Sequence, residues 1–376
     1  MLGIYFHIPF CQRKCAYCDF YSVTDKSLYG VALAAMMKEM EQRKDEFSGI
    51  DTTQATIYFG GGTPSLLTAA QIKMLAQKAI QTFDIQQVAE FTIEVNPDDV
   101  TLDYLASLRG AGANRLSIGV QSFVDNDLQQ VQRRHTAQQA IDSIASAKKT
   151  GFNNISIDLM YGLPSLTLEH WQQNLQTAFA LDIQHLSAYC LSVEPHTPLG
   201  KWLQAGKIAL PNEDEVTAQY QTLLELSRRH GFEHYEISNF ARPNCRAQHN
   251  TAYWQGTPYV GIGAAAHSYN GKARRANVAN VLQYIQGVEQ NSACFEHEIL
   301  SPSQQYNELI FTGLRTRWGV DLSQIEHTAG GQFVDFFVKQ STPLLQQQQL
   351  IQTNAHFTIP QHLWFIADSI ILKMIF

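Results

Sequence analysis

Six short runs rich in β-formers punctuate the first half of the chain, each followed by a stretch long enough for a helix. They are GIYFHIP (3–9), ATIYF (55–59), EFTIEV (90–95), RLSIGVQ (115–121), NISIDLMY (154–161) and HLSAYCLSV (185–193). Helical segments are expected between them at 28–47, 69–83, 102–110, 137–150 and 168–181. Connections of that length carry the chain across one face of a sheet, so the strands run parallel with right-handed crossovers. Six units fill about 195 residues, whereas a closed eight-unit barrel takes about 250. The expected class is therefore α/β, a partial (β/α)6 TIM-like barrel.

Nearly every run ends in a chemically useful residue: His7, the glycines 60–62, Glu94, Gln121, Asp158 and Ser192. Ligands of such barrels sit at the C-terminal strand ends, so these positions point to one common site. After residue 195 the rhythm fades, although EHYEISNFARP and YVGIGAAAHSY read as further strands. From about residue 300 helices (SQQYNELIFTGLRTR, DLSQIEHTAG) precede a small ribbon (LIQTNAHFTIP), the order of a winged helix. The expected organisation is a core of 1–290, comprising the barrel to about 195 and an extension over 196–290, and an α+β accessory domain over 291–376.

DNA is the obvious partner of a winged helix, but charge argues against it. Residues 301–376 hold Arg315, Arg317, Lys339 and Lys373 against Glu308, Asp321, Glu326, Asp335 and Asp368, and the whole chain carries −7. Neither is the footprint of a nucleic-acid binder. MLGIYFHIPF lacks the features of a signal peptide. The most apolar segment, LWFIADSIILKMIF, has 14 residues and two charges, short of a membrane span; a packed terminal helix is expected. No integral membrane segment and a cytoplasmic location follow as expectations. Structural disulfides are rare in that compartment, so Cys190, Cys245 and Cys294 are expected to be buried small hydrophobes.

The remaining three cysteines crowd into CQRKCAYCDF. Cys11, Cys15 and Cys18, spaced C-x3-C-x2-C, can bring three thiolates from one loop to one metal centre. A 4Fe–4S cluster commonly takes four thiolates, so three leave an iron open to a further ligand. A Cys3His zinc site completed by His7 fits the same residues. YFGGGTPS (58–65) places three glycines directly after a strand. Such a turn lets backbone amides approach a ligand; it also fits a plain strand-to-helix turn with Pro64 near the helix start.

With YFHIPFCQRKCAYCDF, YFGGGTPS, IEVNPDD, NRLSIGVQSF, SIDLMYGLP and YVGIGAAAHSY, residues 3–275 resemble the radical S-adenosylmethionine (SAM) proteins. The resemblance extends to the branch holding oxygen-independent coproporphyrinogen III dehydrogenase and its heme-chaperone relatives, and residues beyond about 300 resemble that branch's small accessory domain. It implies a 4Fe–4S cluster on Cys11, Cys15 and Cys18, with SAM on the fourth iron. It further implies SAM contacts at Tyr5, Gly61, Gly62, Thr63, Glu94, Gln121, Arg133 and Asp158, and an electron donor for the cluster.

Two departures separate the chain from the dehydrogenase. That enzyme has a fourth cysteine two positions after the third, where Phe20 stands here, and an extension before the first strand. HNTAYW (249–254) matches an H-N-x-x-Y-W motif of the chaperone relatives. It offers His249 as a heme-iron ligand and Tyr253 and Trp254 as flat apolar surface; it also fits a loop ordered over the barrel. His267 is a second candidate ligand. The expected function is a heme chaperone that binds a SAM-coordinated 4Fe–4S cluster and heme and passes heme to an acceptor protein. Oxidative decarboxylation of coproporphyrinogen III is the alternative, and a zinc-stabilised binding module a third.

Overall fold

The computed structural model describes residues 1–376. Seven parallel strands form its centre: β1 (Leu2–Ile8), β2 (Gln54–Gly61), β3 (Gln87–Val95), β4 (Arg115–Gln121), β5 (Ile155–Tyr161), β6 (His185–Cys190) and, parallel to β1 on its other side, β9 (Tyr259–Ile262). The antiparallel pair β7 (Glu233–Glu236) and β8 (Asn239–Ala241) extends the sheet beyond β6. Beyond β9 lie β10 (His267–Tyr269), β11 (Ala273–Asn277) and β12 (Phe295–Ile299). The order β12-β11-β10-β9-β1-β2-β3-β4-β5-β6-β8-β7 leaves the sheet open. The six expected units are present as a partial barrel.

Strands covered on both faces read as almost unbroken apolar runs, and Ile4, Phe6, Ile57, Phe59, Ile93, Ile118, Ile157 and Leu186 are all fully buried. Four of the covering helices start where a threonine, Thr68, Thr101, Thr136 or Thr167, caps the first turn. Thr68 and Thr136 each accept from the third helical amide, and Gln71 and Gln139 reach back to the cap, the reciprocal capping box. One apolar cluster spans residues between Leu2 and Val288. A second gathers residues between Tyr306 and Met374.

The C-terminal unit contains the helix Pro302–Gly313, β13 (Val320–Asp321), the helices Leu322–Ala329 and Gly331–Gln346, and the ribbon β14 (Ile351–Thr353) and β15 (His356–Thr358). This is the winged-helix order. Two features depart from expectation. The expected boundary at 290 falls one strand short of the sheet edge, because β12 pairs with β11. The terminal segment is a 3-10 turn (Gln361–Ile366) followed by the short helix Ala367–Ile371, not one helix, with Trp364, Ile370 and Met374 buried. The unit is also joined to the sheet through backbone: Ile237 N–H donates to Arg315 O (3.1 Å) and Arg317 N–H to Tyr235 O (3.1 Å). No helix is long and apolar enough to cross a membrane.

Candidate functional site

The cysteine loop leaves the end of β1 and is held at several backbone points. Cys11 N–H donates to Val23 O (2.9 Å), Ala16 N–H to Val131 O (3.1 Å), and Leu199 N–H to Ala16 O (2.9 Å). Cys11 is buried, while Cys15 and Cys18 are half-buried. Each of the first two thiols faces a donor from a different element. Thr63 Oγ1 donates to Cys11 Sγ (3.4 Å) and Arg133 Nη1 to Cys15 Sγ (3.4 Å). Burial pushes the Cys18 thiol up, against a lowering backbone hydrogen bond from Phe20.

The glycine turn packs beneath this loop. Gly61 has φ +104°, and a Cβ there would stand 2.7 Å from the His7 ring; one at Gly62 would stand 2.7 Å from Ile8 O and 2.8 Å from Phe10 O. A side chain at Gly61 would drive into His7 and one at Gly62 into the backbone that leads to the cysteine loop, so the glycines are required for the close approach of two strand ends. His7 is fully committed: its Nδ1 accepts from the Tyr5 hydroxyl (3.0 Å) and its Nε2–H donates to Tyr21 O (3.0 Å). Burial lowers its pKa. His7 would have to give up one of these bonds to complete a zinc site, and no group of three His, Cys, Asp or Glu side chains is placed to hold a single metal ion. A cube of iron and sulfur presents each iron at a separate corner and takes thiolates standing further apart than one ion allows. The three-thiol loop with N–H and O–H donors aimed at sulfur fits that group.

Beside the cysteines, Arg133 bends inward rather than into solvent. Its Nη2 donates to Asn96 Oδ1 (2.9 Å) and Gly119 O (2.6 Å), and its Nε is buried without a partner. Gln121, buried at φ +67° where β4 slips register with β5, converges on the same spot. A Cβ at Gly119 would lie 3.1 Å from Arg133 Nη2 and 3.2 Å from Gln121 Nε2. The backbone strain at Gln121 is the kind that gathers at ligand sites.

Glu94 stands next to the end of β3, whereas Asp158 lies in the middle of β5, not at its end as expected, because the strand stays paired with β6 through Tyr161. Tyr58 donates to Glu94 (2.7 Å), yet burial raises its pKa to about 7, the Tyr58 bond opposing and the Asp158 charge adding. Ser117 donates to Asp158 (3.3 Å), whose pKa burial also raises. Arg115, buried beneath them, favours both charged forms. Ser192, by contrast, lies beyond the end of β6, exposed and bonded to Glu194 (3.4 Å), and takes no part.

HNTAYW forms a short helix, Gln248–Trp254, rather than an irregular loop. Glu90 accepts from Gln248 N–H (2.8 Å) and His249 N–H (3.0 Å) at its start, where a negative charge is favoured. His249 and Tyr253, four apart, share one face. The His249 Nδ1 meets Thr56 Oγ1 (2.7 Å) and its Nε2 meets the Tyr253 hydroxyl (2.8 Å). Burial drives its pKa down to about 3, with the Arg115 charge adding. The imidazole is therefore neutral, and only by exchanging its Tyr253 bond does Nε2 become free to ligate.

A cavity of about 1180 Å³ opens over these strand ends, between the sheet and the C-terminal unit. Tyr5, Glu94, Tyr253, Trp254 and His267 line it, as does Phe20, whose side chain is 70% exposed. Its far wall comes from Leu309, Thr312, His327 and neighbours of the C-terminal unit. Sequence reasoning missed Glu90, Asn96, Arg115, Tyr189, Glu236 and Arg274. Asn96 stands inside the IEVNPDD motif and Glu90 opens the EFTIEV run; the roles of the others emerge only from the fold. The three isolated cysteines also differ from expectation: Cys190 is exposed and Cys245 and Cys294 are half-buried, because β6 ends at Cys190 and the other two lie outside covered strands.

Fold and site together define a radical SAM protein. The family model described as the Radical SAM superfamily matches residues 5–178, and that of the HemN C-terminal domain residues 300–365. The structure of the coproporphyrinogen III oxidase HemN of Escherichia coli superposes with a TM-score of 0.84 at 26% identity, covering 99% of this chain and 89% of that one. The curated heme chaperone HemW of Bacillus subtilis is 37% identical over 88% of this chain and 87% of its own length; that of Lactococcus lactis is 35% identical over 92% and 90%. The chain belongs to the HemW family of the radical SAM superfamily.

Proposed function

We propose that this protein is a heme chaperone: it holds a 4Fe–4S cluster on Cys11, Cys15 and Cys18, SAM beside it, and heme in the adjoining cavity for transfer to an acceptor protein. The SAM contacts in this reading are Tyr5, Gly61, Gly62, Thr63, Glu94, Gln121, Arg133 and Asp158. When bound, the cluster and SAM supply one-electron chemistry, with an electron donor outside this chain. The residues hold and shield: Arg133 and Gln121 present donors beside Cys15, Glu94 and Asp158 present acceptors, and the glycine turn lets backbone approach.

The observation that carries the reading is the cavity. At about 1180 Å³ it exceeds the usual 300–1,000 Å³ of small-ligand pockets. It is open beside the cysteine loop and flanked by Phe20, Tyr253 and Trp254. Flat aromatic walls suit a porphyrin face, and His249 or His267 can reach an iron after local rearrangement. Titration of anaerobically reconstituted protein with heme, followed in the Soret region with and without SAM, tests this. Binding near one equivalent is expected, and no binding in any cluster or SAM state would overturn the reading.

The likeness to HemN favours a second reading, oxidative decarboxylation of coproporphyrinogen III. Phe20, occupying the cavity mouth where the dehydrogenase-type motif has a cysteine, weighs against it. Formation of protoporphyrinogen from coproporphyrinogen with SAM and reductant would establish that activity.

A further inference from the structure

The cavity is polarised in charge. Four acidic residues line it, Asp19, Glu94, Glu236 and Glu308, but Arg274 is its only lysine or arginine. In the sheet order Glu94 lies at the centre on β3 and Glu236 on the β7 flank, whereas Arg274 lies on β11 at the opposite flank. Any anionic end of a ligand is thus directed to the Arg274 side.

Arg274 is not free there. Its guanidinium sits 5.9 Å from the Tyr269 ring centre and its Nε pairs with Glu308 Oε1 at 2.5 Å. The two side chains are 42% and 28% exposed, so each is within reach of solvent and ligand. Glu308 comes from the helix Pro302–Gly313, the first helix of the C-terminal unit, so this ion pair bridges the two walls of the cavity.

We infer that Arg274 is the carboxylate anchor of the cavity and that Glu308 is an internal competitor displaced when a carboxylate-bearing ligand binds. This inference rests on the heme reading and sharpens it, since heme carries two propionates on one edge. A propionate takes the place of Glu308 at the guanidinium, a charge-assisted exchange of one carboxylate for another. Glu308 turns to water, and the link between the walls is remade through the ligand. The tetrapyrrole then lies with its propionate edge toward β11 and its apolar face along Trp254 and Tyr253.

Affinities for iron protoporphyrin IX and for its dimethyl ester, measured in the same detergent, test the assignment. The wild type is expected to prefer the free acid by roughly tenfold or more. Glu308→Gln is expected to tighten the free acid by about three- to tenfold and leave the ester unchanged. Arg274→Gln is expected to bring the two ligands to parity. Because the ester reports general damage to the cavity, variants that change both ligands equally would overturn the anchor. So would equal wild-type affinities or a preference that survives Arg274→Gln. Wild-type protein that binds neither ligand would overturn the heme reading itself and this inference with it.

Discussion

At the cysteine end of the site the polar side chains hold one another: Arg133 is fixed by Asn96 and Gly119, His7 by Tyr5 and Tyr21, and Glu94 by Tyr58. Across the cavity Trp254 is half-buried and Arg274 is held by the partly exposed pair with Glu308 and the Tyr269 ring. One end is a preorganised cradle whose parts support each other, as a redox centre requires. The other is an open surface assembled from the sheet, a short helix and the C-terminal unit, as suits a cargo that must leave. Substitutions should therefore cost folding and cluster assembly at the first end, and cargo affinity alone at the second.

The strongest challenge to that contrast is Cys15→Ser, which should abolish cluster assembly. Iron and sulfide analysis after anaerobic reconstitution should fall to background, while retention near the wild-type level would break the cradle model. Arg133→Met should come next. It strips Asn96 Oδ1 and Gly119 O of their donor, at about 1–3 kcal/mol for each unpaired group. Denaturant unfolding of the apoprotein should show a loss of about 2–4 kcal/mol, and SAM affinity should fall by tenfold or more.

The third test uses pH. Burial raises Glu94 and Glu236 to about 7 from the ordinary 4.5. A carboxyl protonated more readily folded than unfolded contributes stability that is full below pH 4.5 and is lost as pH rises through about 7. Each should account for roughly 2–3 kcal/mol of that loss. Unfolding of the apoprotein at pH 5 and pH 8 should show the decline. Glu94→Gln and Glu236→Gln should each remove part of it, and an undiminished slope in the double variant would show that other groups titrate. Trp254→Ala is expected to weaken heme by about tenfold with little change in unfolding; a large loss of stability would move Trp254 into the cradle. Smallest of all, His196→Ala breaks the exposed pair with Asp19 (2.5 Å) beside Cys18 and should cost about 0.5 kcal/mol or less.

The same division explains what was readable beforehand. His7, Glu94 and Gln121 lie at or next to the ends of their strands and Asp158 within β5, so alternation of apolar runs and helices marks them in order, and spacing marks the cysteines. Those cues fail where tertiary contact does the gathering. Glu308 meets Arg274 across 34 positions, and Glu90 caps a helix that starts 158 residues later. Arg115 looks like the polar start of a strand until the fold buries it against Thr92 of β3. Phe20 stands out in the sequence for what it replaces; its place at the cavity mouth comes only with the fold.

The backbone bonds between Tyr235–Ile237 and Arg315–Arg317 carry one further consequence. They make the C-terminal unit a seam of the sheet, not a flap on a tether, and a peptide cut between Ile299 and Ser301 would leave it sewn in place. In the proposed chaperone, cargo would exchange by side chains parting along the Arg274–Glu308 line, the two walls staying stitched at the opposite margin, in the manner of a purse opened from one side.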